Sequence, residues 1–252
     1  MSPDQLIQYS PPENLLRDRV ILVSGASDGI GRAVSLAYAA KGATVVLLAK
    51  TLNKLEYVYD CIEAAGYPQP AIYPMNLELA TPKDYDDLAA TLDSEFGRLD
   101  GLLNNAGWVG GLTPLQHYDI ERWIRVMTIN LHAPFFLTKA CLPLLQSSPD
   151  PAILFSTHNC LRAYWGAYGI SKHGLAGMMS ILALELDGDQ PIRVNGIDTG
   201  PVQTWLRMQN YPAEDPNKLS KPETVTAPYC YFMGPDSRGV TGQNLCLHST
   251  AP

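Results

Sequence analysis

The sequence predicts an α/β protein built on one doubly wound, mostly parallel, seven-stranded sheet with helices on both faces. Three observations lead there. From Arg19 onward, short β-branched runs alternate with longer helical patterns. The short runs show no clean apolar–polar alternation, as expected of strands buried on both faces of a parallel sheet. A glycine-rich turn joins the first run directly to the first helical pattern. At 252 residues, with 46% apolar and 17% charged residues, the chain has ample material for such a core and no sign of disorder.

Taken in order, residues 1–18 read as an extended arm, because Pro3, Pro11 and Pro12 oppose regular structure. Strands are expected at "VILVS" (20–24), "TVVLL" (44–48), "AIY" (71–73), "GLLN" (101–104), "AILFS" (152–156), "IRVNGI" (192–197) and "NLCL" (244–247). Helices are expected near 30–41, 52–65, 82–96, 119–146, 166–187 and 222–233. No repeat, low-complexity tract or linker interrupts residues 19–252, so one domain is expected there. Within it, "TWLRMQNYPAEDPNKLSKPE" (204–223) mixes aromatic, apolar and charged residues and reads as a substrate lid. Trp108, Val109, Trp165, Trp205 and Met208 suggest a partly apolar pocket.

Composition excludes several function classes. A net charge of −7 and a pI near 5.2 argue against a nucleic-acid surface. Nothing approaches the ~18 uninterrupted apolar residues of a membrane span, and "MSPDQLIQYSPPENLL" has neither a basic start nor an apolar signal core. Five widely spaced cysteines without C-x-x-C fit reduced thiols, and therefore a cytoplasmic location. The five histidines show no metal-ligand spacing, so no metal is expected.

The glycine turn, "SGASDGIGRA", places Gly25, Ser27, Asp28, Gly29, Ile30 and Gly31 between a buried strand and a helix. Such a turn lets the backbone approach a bound group, while the helix N-terminus offers free N–H groups to a pyrophosphate. The spacing is G-x-x-x-G-x-G. Here the chain resembles the short-chain dehydrogenase/reductase family over nearly its whole length, with Ser24 where that family's motif carries threonine. The resemblance extends to N-N-A-G at Asn104, Asn105, Ala106 and Gly107, and to Asn130 in "MTINLHAPFFLT". It continues through Tyr-x-x-x-Lys at Tyr168 and Lys172, "RVN" at Arg193–Asn195, and Gly200–Thr204 with Val202 and Thr204, Thr199 standing where proline is usual. "LLRDRVILVSGASDGIGR", "WGAYGISK" and "PAEDPNKL" look closest to the YciK-like branch. The resemblance implies a Rossmann-type fold and an oxidoreductase that interconverts a small-molecule carbonyl and an alcohol with a nicotinamide cofactor.

The end of the second strand chooses between cofactors. Ala49 stands where an acidic residue would bind the adenosine ribose, followed by Lys50, Thr51 and Lys54. Cations there attract a 2′-phosphate, so NADP(H) is favoured over NAD(H) on charge complementarity. Asn76 and Leu77 fall where the family contacts the adenine, and an Asn oxygen accepts from the adenine amine.

Residues four apart share a helix face, which sets Lys172 beside Tyr168. A free phenol has a pKa of about 10; a neighbouring ammonium is expected to lower it, making Tyr168 the proton donor and acceptor. By resemblance, Lys172 also binds the nicotinamide ribose and Asn130 holds a water in the proton path. The family's serine, thirteen residues before the tyrosine, falls here on Phe155, so the segment "ILFSTHNCLRAYWGAY" is shortened. Ser156, Thr157 and His158 are the candidates, with Thr157 favoured because it best fits paired hydroxyls at the strand end. The altered segment also admits a rival reading, a nucleotide-binding module without turnover that serves as sensor or scaffold. The wide apolar arcs of "HAPFFLTKACLPLL" and "GLAGMMSILALEL", with the family resemblance, imply a homodimer or homotetramer.

Overall fold

A computed structural model describes residues 2–248; residue 1 of the expected arm and residues 249–252 of the expected domain lie outside it. The chain opens not with an extended arm but with α1 (Pro3–Ile7). Pro3 occupies a first-turn position, where its missing N–H costs nothing, and Ser2 and Gln5 close a capping box across that turn. Leu6, Leu15 and Leu16 are buried in the core. Tyr9 packs edge-on against Tyr231 and donates to Asp236 at 2.6 Å. Proline placement alone misjudged this segment because a helix tolerates proline at its start.

Seven strands follow: β1 (Val20–Ser24), β2 (Thr44–Ala49), β3 (Ala71–Pro74), β4 (Gly101–Asn104), β5 (Ala152–Ser156), β6 (Arg193–Asp198) and β7 (Asn244–Cys246). All pair in parallel, in the order β3-β2-β1-β4-β5-β6-β7. The chain winds outward from β1 to β3, then returns to lay β4 against β1. That reversal leaves a crevice at the C-terminal ends of β1 and β4, the place where such sheets bind ligands.

Between the strands run α2 (Gly29–Ala40), α3 (Leu52–Ala64), α4 (Pro82–Phe96), α5 (Ile120–Met127), α6 (Ala133–Gln146) and α7 (Gly166–Glu185), followed by α8 (Trp205–Asn210) and α9 (Ala227–Met233). Two core clusters sandwich the sheet. Val34, Tyr38, Leu55 and Ile62 of α2 and α3, with Tyr229 and Phe232 of α9, fill one face. Leu88 and Leu92 of α4, Leu137 and Leu145 of α6, and Leu175 and Met179 of α7 fill the other.

The helix expected over 119–146 is interrupted. Thr128–His132 forms a π turn between α5 and α6, the kind of irregularity that collects at functional sites. The sequence supplies a reason: Pro134 has no N–H to return to the Asn130 carbonyl four residues earlier.

Candidate active site

Ser24 ends β1 and braces the loop behind it. Its hydroxyl donates to the Leu103 carbonyl (3.2 Å) and accepts from the N–H groups of Asn105 (3.0 Å) and Ala106 (3.2 Å). Serine therefore supports both ends of the crevice without a threonine methyl. A Cβ at Gly31 would lie 2.2 Å from the Gly25 carbonyl oxygen, and Gly25 holds a φ of 69° against Ala106, so this compact turn admits only glycine at both positions. Asp28 caps α2, accepting from the Gly29 N–H at 2.7 Å and from Lys54 at 2.6 Å. Burial pushes the Asp28 carboxyl up, but the Lys54 and Gly29 hydrogen bonds outweigh it and hold the group below its usual range. Lys54 is thereby committed. Lys50 and Thr51 stay exposed, and Lys50 forms no ion pair among the described residues.

A cleft of about 600 Å³ begins at this loop. Gly25, Ser27, Asp28, Gly29 and Ile30 line one end, beside Lys50, Thr51, Asn76 and Leu77. Asn105, Ala106 and Gly107 form the middle, Tyr168 and Lys172 the far floor, and Gly200, Val202 and Thr204 the opposite wall. Gly31 and Asn130 do not line it. Asn76 turns its carboxamide oxygen back to the Glu78 N–H (3.1 Å), leaving one lone pair for a ligand.

Tyr168 and Lys172 share one face of α7 and are buried, at 8% and 5% exposure. The Lys172 ammonium donates to the Ser156 carbonyl at 2.7 Å and lies 5.8 Å from the Tyr168 ring centroid. The spacing suggested that lysine lowers the phenol's pKa. In the structure burial dominates instead, pushing the Tyr168 phenol well above its ordinary value and the Lys172 ammonium down to about 8. Asn130 is fully buried. Its carboxamide clasps the backbone of Trp108, accepting from the N–H (2.8 Å) and donating to the carbonyl (2.9 Å), and donates again to Ser171 (3.0 Å).

The three candidates before α7 separate clearly. Ser156 turns inward, donating to Asn105 at 3.1 Å and meeting the Tyr229 hydroxyl at 3.3 Å. Thr157 donates to Asn244 Oδ1 at 2.7 Å, toward β7. His158 Nδ1 meets the Tyr168 hydroxyl at 3.3 Å. Thr157, favoured from the sequence, continues the pairing with β6 through its N–H to the Ile197 carbonyl (2.9 Å), and it is His158 that stands within hydrogen-bond distance of the phenol.

Of the residues expected in an apolar pocket, Trp108, Val109, Trp165 and Trp205 line the cleft; Met208 does not. Two arginines that the motifs did not single out stand beside them. Arg125 lies over the Trp108 ring at 4.2 Å and pairs with Glu78 at 2.9 Å. Arg207 lies over Tyr211 at 3.6 Å and grips Glu214 with two hydrogen bonds of 2.7 and 2.8 Å. The Arg207–Tyr211 spacing of four was the available signal for the second. Segment 204–223 begins with α8, whose cap Thr204 faces Gly29, and a bridge between Val202 and Ser220 ties the segment's ends together. The carboxylate of Asp198 and the Cys246 and His248 side chains lie within 4.8 Å of one another. The Asp198 oxygens accept from the Asn159 (2.7 Å) and Gly200 (2.9 Å) N–H groups, which braces the turn after β6.

The sequence model of the short chain dehydrogenase family matches residues 19–215. The chain belongs to the short-chain dehydrogenase family. It is 41% identical to the oxidoreductase YciK of Escherichia coli K12 over 95% of both chains. A short-chain dehydrogenase structure from Pseudomonas syringae superposes with a TM-score of 0.93 at 48% identity, covering 95% of this chain and 98% of that one. One from Shigella flexneri 2a, complexed with NADP, gives 0.90 at 40% identity over 94% and 99%. This short-chain dehydrogenase is thus an oxidoreductase of a family that uses nicotinamide cofactors. All five of its cysteines are unpaired, and no helix among the described residues is long and apolar enough to cross a membrane.

Proposed function

We propose that this short-chain dehydrogenase is an NADP(H)-dependent enzyme interconverting a small-molecule carbonyl and its alcohol. One observation carries the reading: a single cleft starts at the glycine loop and Lys50 and ends at the Tyr168 hydroxyl and Lys172. The residues fit a dinucleotide. The left-handed Gly25 and the α2 N-terminus suit a pyrophosphate, Lys50 and Thr51 would hold a 2′-phosphate, and Lys172 would hold the nicotinamide ribose. When bound, the nicotinamide gives or takes the hydride.

Tyr168 handles the proton. Its phenol, kept protonated by burial, gives that proton to the carbonyl oxygen during reduction and takes one from the alcohol during oxidation. Lys172 offsets the phenolate's charge in the dry pocket. A water held at the main chain of Asn130, within the π turn, would return the proton. A module without turnover is not favoured, since pure nucleotide binding has no use for this set. The substrate end reads as a site for a neutral carbonyl with a flat aromatic or apolar body. Trp108, Trp165 and Tyr211 supply the surfaces, and both arginines in reach are already paired with glutamates. Segment 204–223 covers that end as a lid. A panel of aromatic ketones, aldehydes and quinones against aliphatic acids of similar size, followed by NADPH absorbance, tests this. Turnover confined to anionic substrates, or absent throughout, contradicts it.

A further inference from the structure

The imidazole of His158 stands in the cleft with Nδ1 3.3 Å from the Tyr168 oxygen. Nothing in the proton path described above uses it. Its position is built rather than incidental. The ring packs edge-on against Trp165 (centroids 5.1 Å apart) and Tyr168 (5.8 Å). The backbone behind it is pinned where the Asn159 N–H donates to Asp198 (2.7 Å). The loop is strained along this path: Tyr164 takes a φ of 73°, a left-handed conformation that a bulky residue rarely adopts.

We propose that His158 is a catalytic residue, a neutral imidazole whose Nδ1–H donates a hydrogen bond to the substrate oxygen beside the Tyr168 hydroxyl. The two donors would converge on one atom. As the carbonyl carbon gains the hydride, the π electrons of the C=O bond move to oxygen, the Tyr168 O–H bond breaks and the alcohol O–H forms. The Nδ1–H of His158 stays intact and stabilises the charge on oxygen, then on the phenolate. Neutrality follows from the surroundings. Burial lowers the imidazole's pKa to about 4; Asp198 opposes this, and Lys172, His248 and Arg207 reinforce it. A neutral imidazole donor at an oxyanion is an established device of enzymes.

The inference rests on the reading of Tyr168 as proton donor, and the experiment separates the two. His158→Ala, His158→Asn and His158→Gln are compared with wild type and Tyr168→Phe for kcat, KM and NADPH affinity. The carboxamide of Asn presents an N–H near the Nδ1 position, whereas Gln places it near Nε2. Loss of one oxyanion donor should lower kcat in the Ala variant by ~10²–10³-fold, with NADPH affinity unchanged. Asn should recover most of that loss and Gln little. Wild-type kcat in the Ala variant, or equal behaviour of Asn and Gln, overturns the proposal. If Tyr168→Phe also leaves kcat intact, it is the underlying reading that fails. Nitrogen-15 spectra of histidine-labelled protein need no substrate: His158 should carry its hydrogen on Nδ1 and stay neutral from pH 8 to 5. A bare Nδ1, or titration near pH 6.5, refutes the assignment.

Discussion

Replacing Lys50 with aspartate should weaken NADPH binding much more than NADH binding. Lys50 is exposed and free of ion pairs among the described residues, whereas Lys54, the other nearby cation, is bound to Asp28 at 2.6 Å. On the proposed reading a 2′-phosphate would depend chiefly on the Lys50 ammonium. A hydrogen bond to a charged group contributes about 1.5–3 kcal/mol, so its loss should weaken NADPH binding by roughly 10- to 100-fold. The new carboxylate adds repulsion. NADH lacks that phosphate and should change less than about threefold, within the ordinary range of a surface substitution. Asp28→Asn gives the complementary test. Asparagine still caps α2, but Lys54 is released toward the phosphate, so NADPH affinity should rise severalfold and part of the Lys50→Asp loss should return in the double variant. Fluorescence titration of both cofactors at low salt measures all four proteins, since screening weakens exposed charges. An unchanged NADPH/NADH affinity ratio in Lys50→Asp would refute the electrostatic reasoning.

Two further expectations follow from burial and exposure. Lys172 carries its charge below a pKa of about 8 and loses it above, so kcat/KM for NADPH, which reports the free enzyme, should hold below pH 8 and fall about tenfold per pH unit beyond it; a profile flat to pH 9.5 would contradict this. The outer faces of α6 and α7 leave Phe135, Ile181 and Leu184 exposed (49%, 57% and 81%), and we propose that they pair between subunits. Light scattering should give two or four times the 27.6 kDa chain mass, with Ile181→Glu and Leu184→Glu shifting it to monomer; a monomeric wild type would count against the pairing.

The sheet was legible because its signal is local: each strand is an apolar run bounded by turn residues, and the expected boundaries fall within a residue or so of those observed. That the glycine loop and the end of β2 line one cleft was legible because glycine spacing and strand-end charge are written in consecutive residues. What escaped the sequence depends on contacts distant in the chain. Which of Ser156, Thr157 and His158 faces Tyr168 is decided by the Thr157 bond to Asn244 and by the path of a shortened loop. The order of pKa effects at Tyr168 and Lys172 depends on how deeply the fold buries them, which their four-residue spacing does not encode. Helix α1 is hidden for a different reason: proline breaks a helix interior but is tolerated in the first turn, where Pro3 sits.

On the proposed mechanism, Tyr168 delivers the proton in a cleft that binds NADP(H) independently of it. Tyr168→Phe keeps the ring that packs against Trp165 (centroids 5.6 Å apart) and removes only the hydroxyl. The most direct test is single-turnover oxidation of bound NADPH by an accepted carbonyl, with NADPH affinity measured on the same preparation. Tyr168→Phe should keep its NADPH affinity while the rate falls by the ~10²–10⁴-fold typical of a lost acid–base group. A Tyr168→Phe enzyme that oxidises NADPH at the wild-type rate would contradict it.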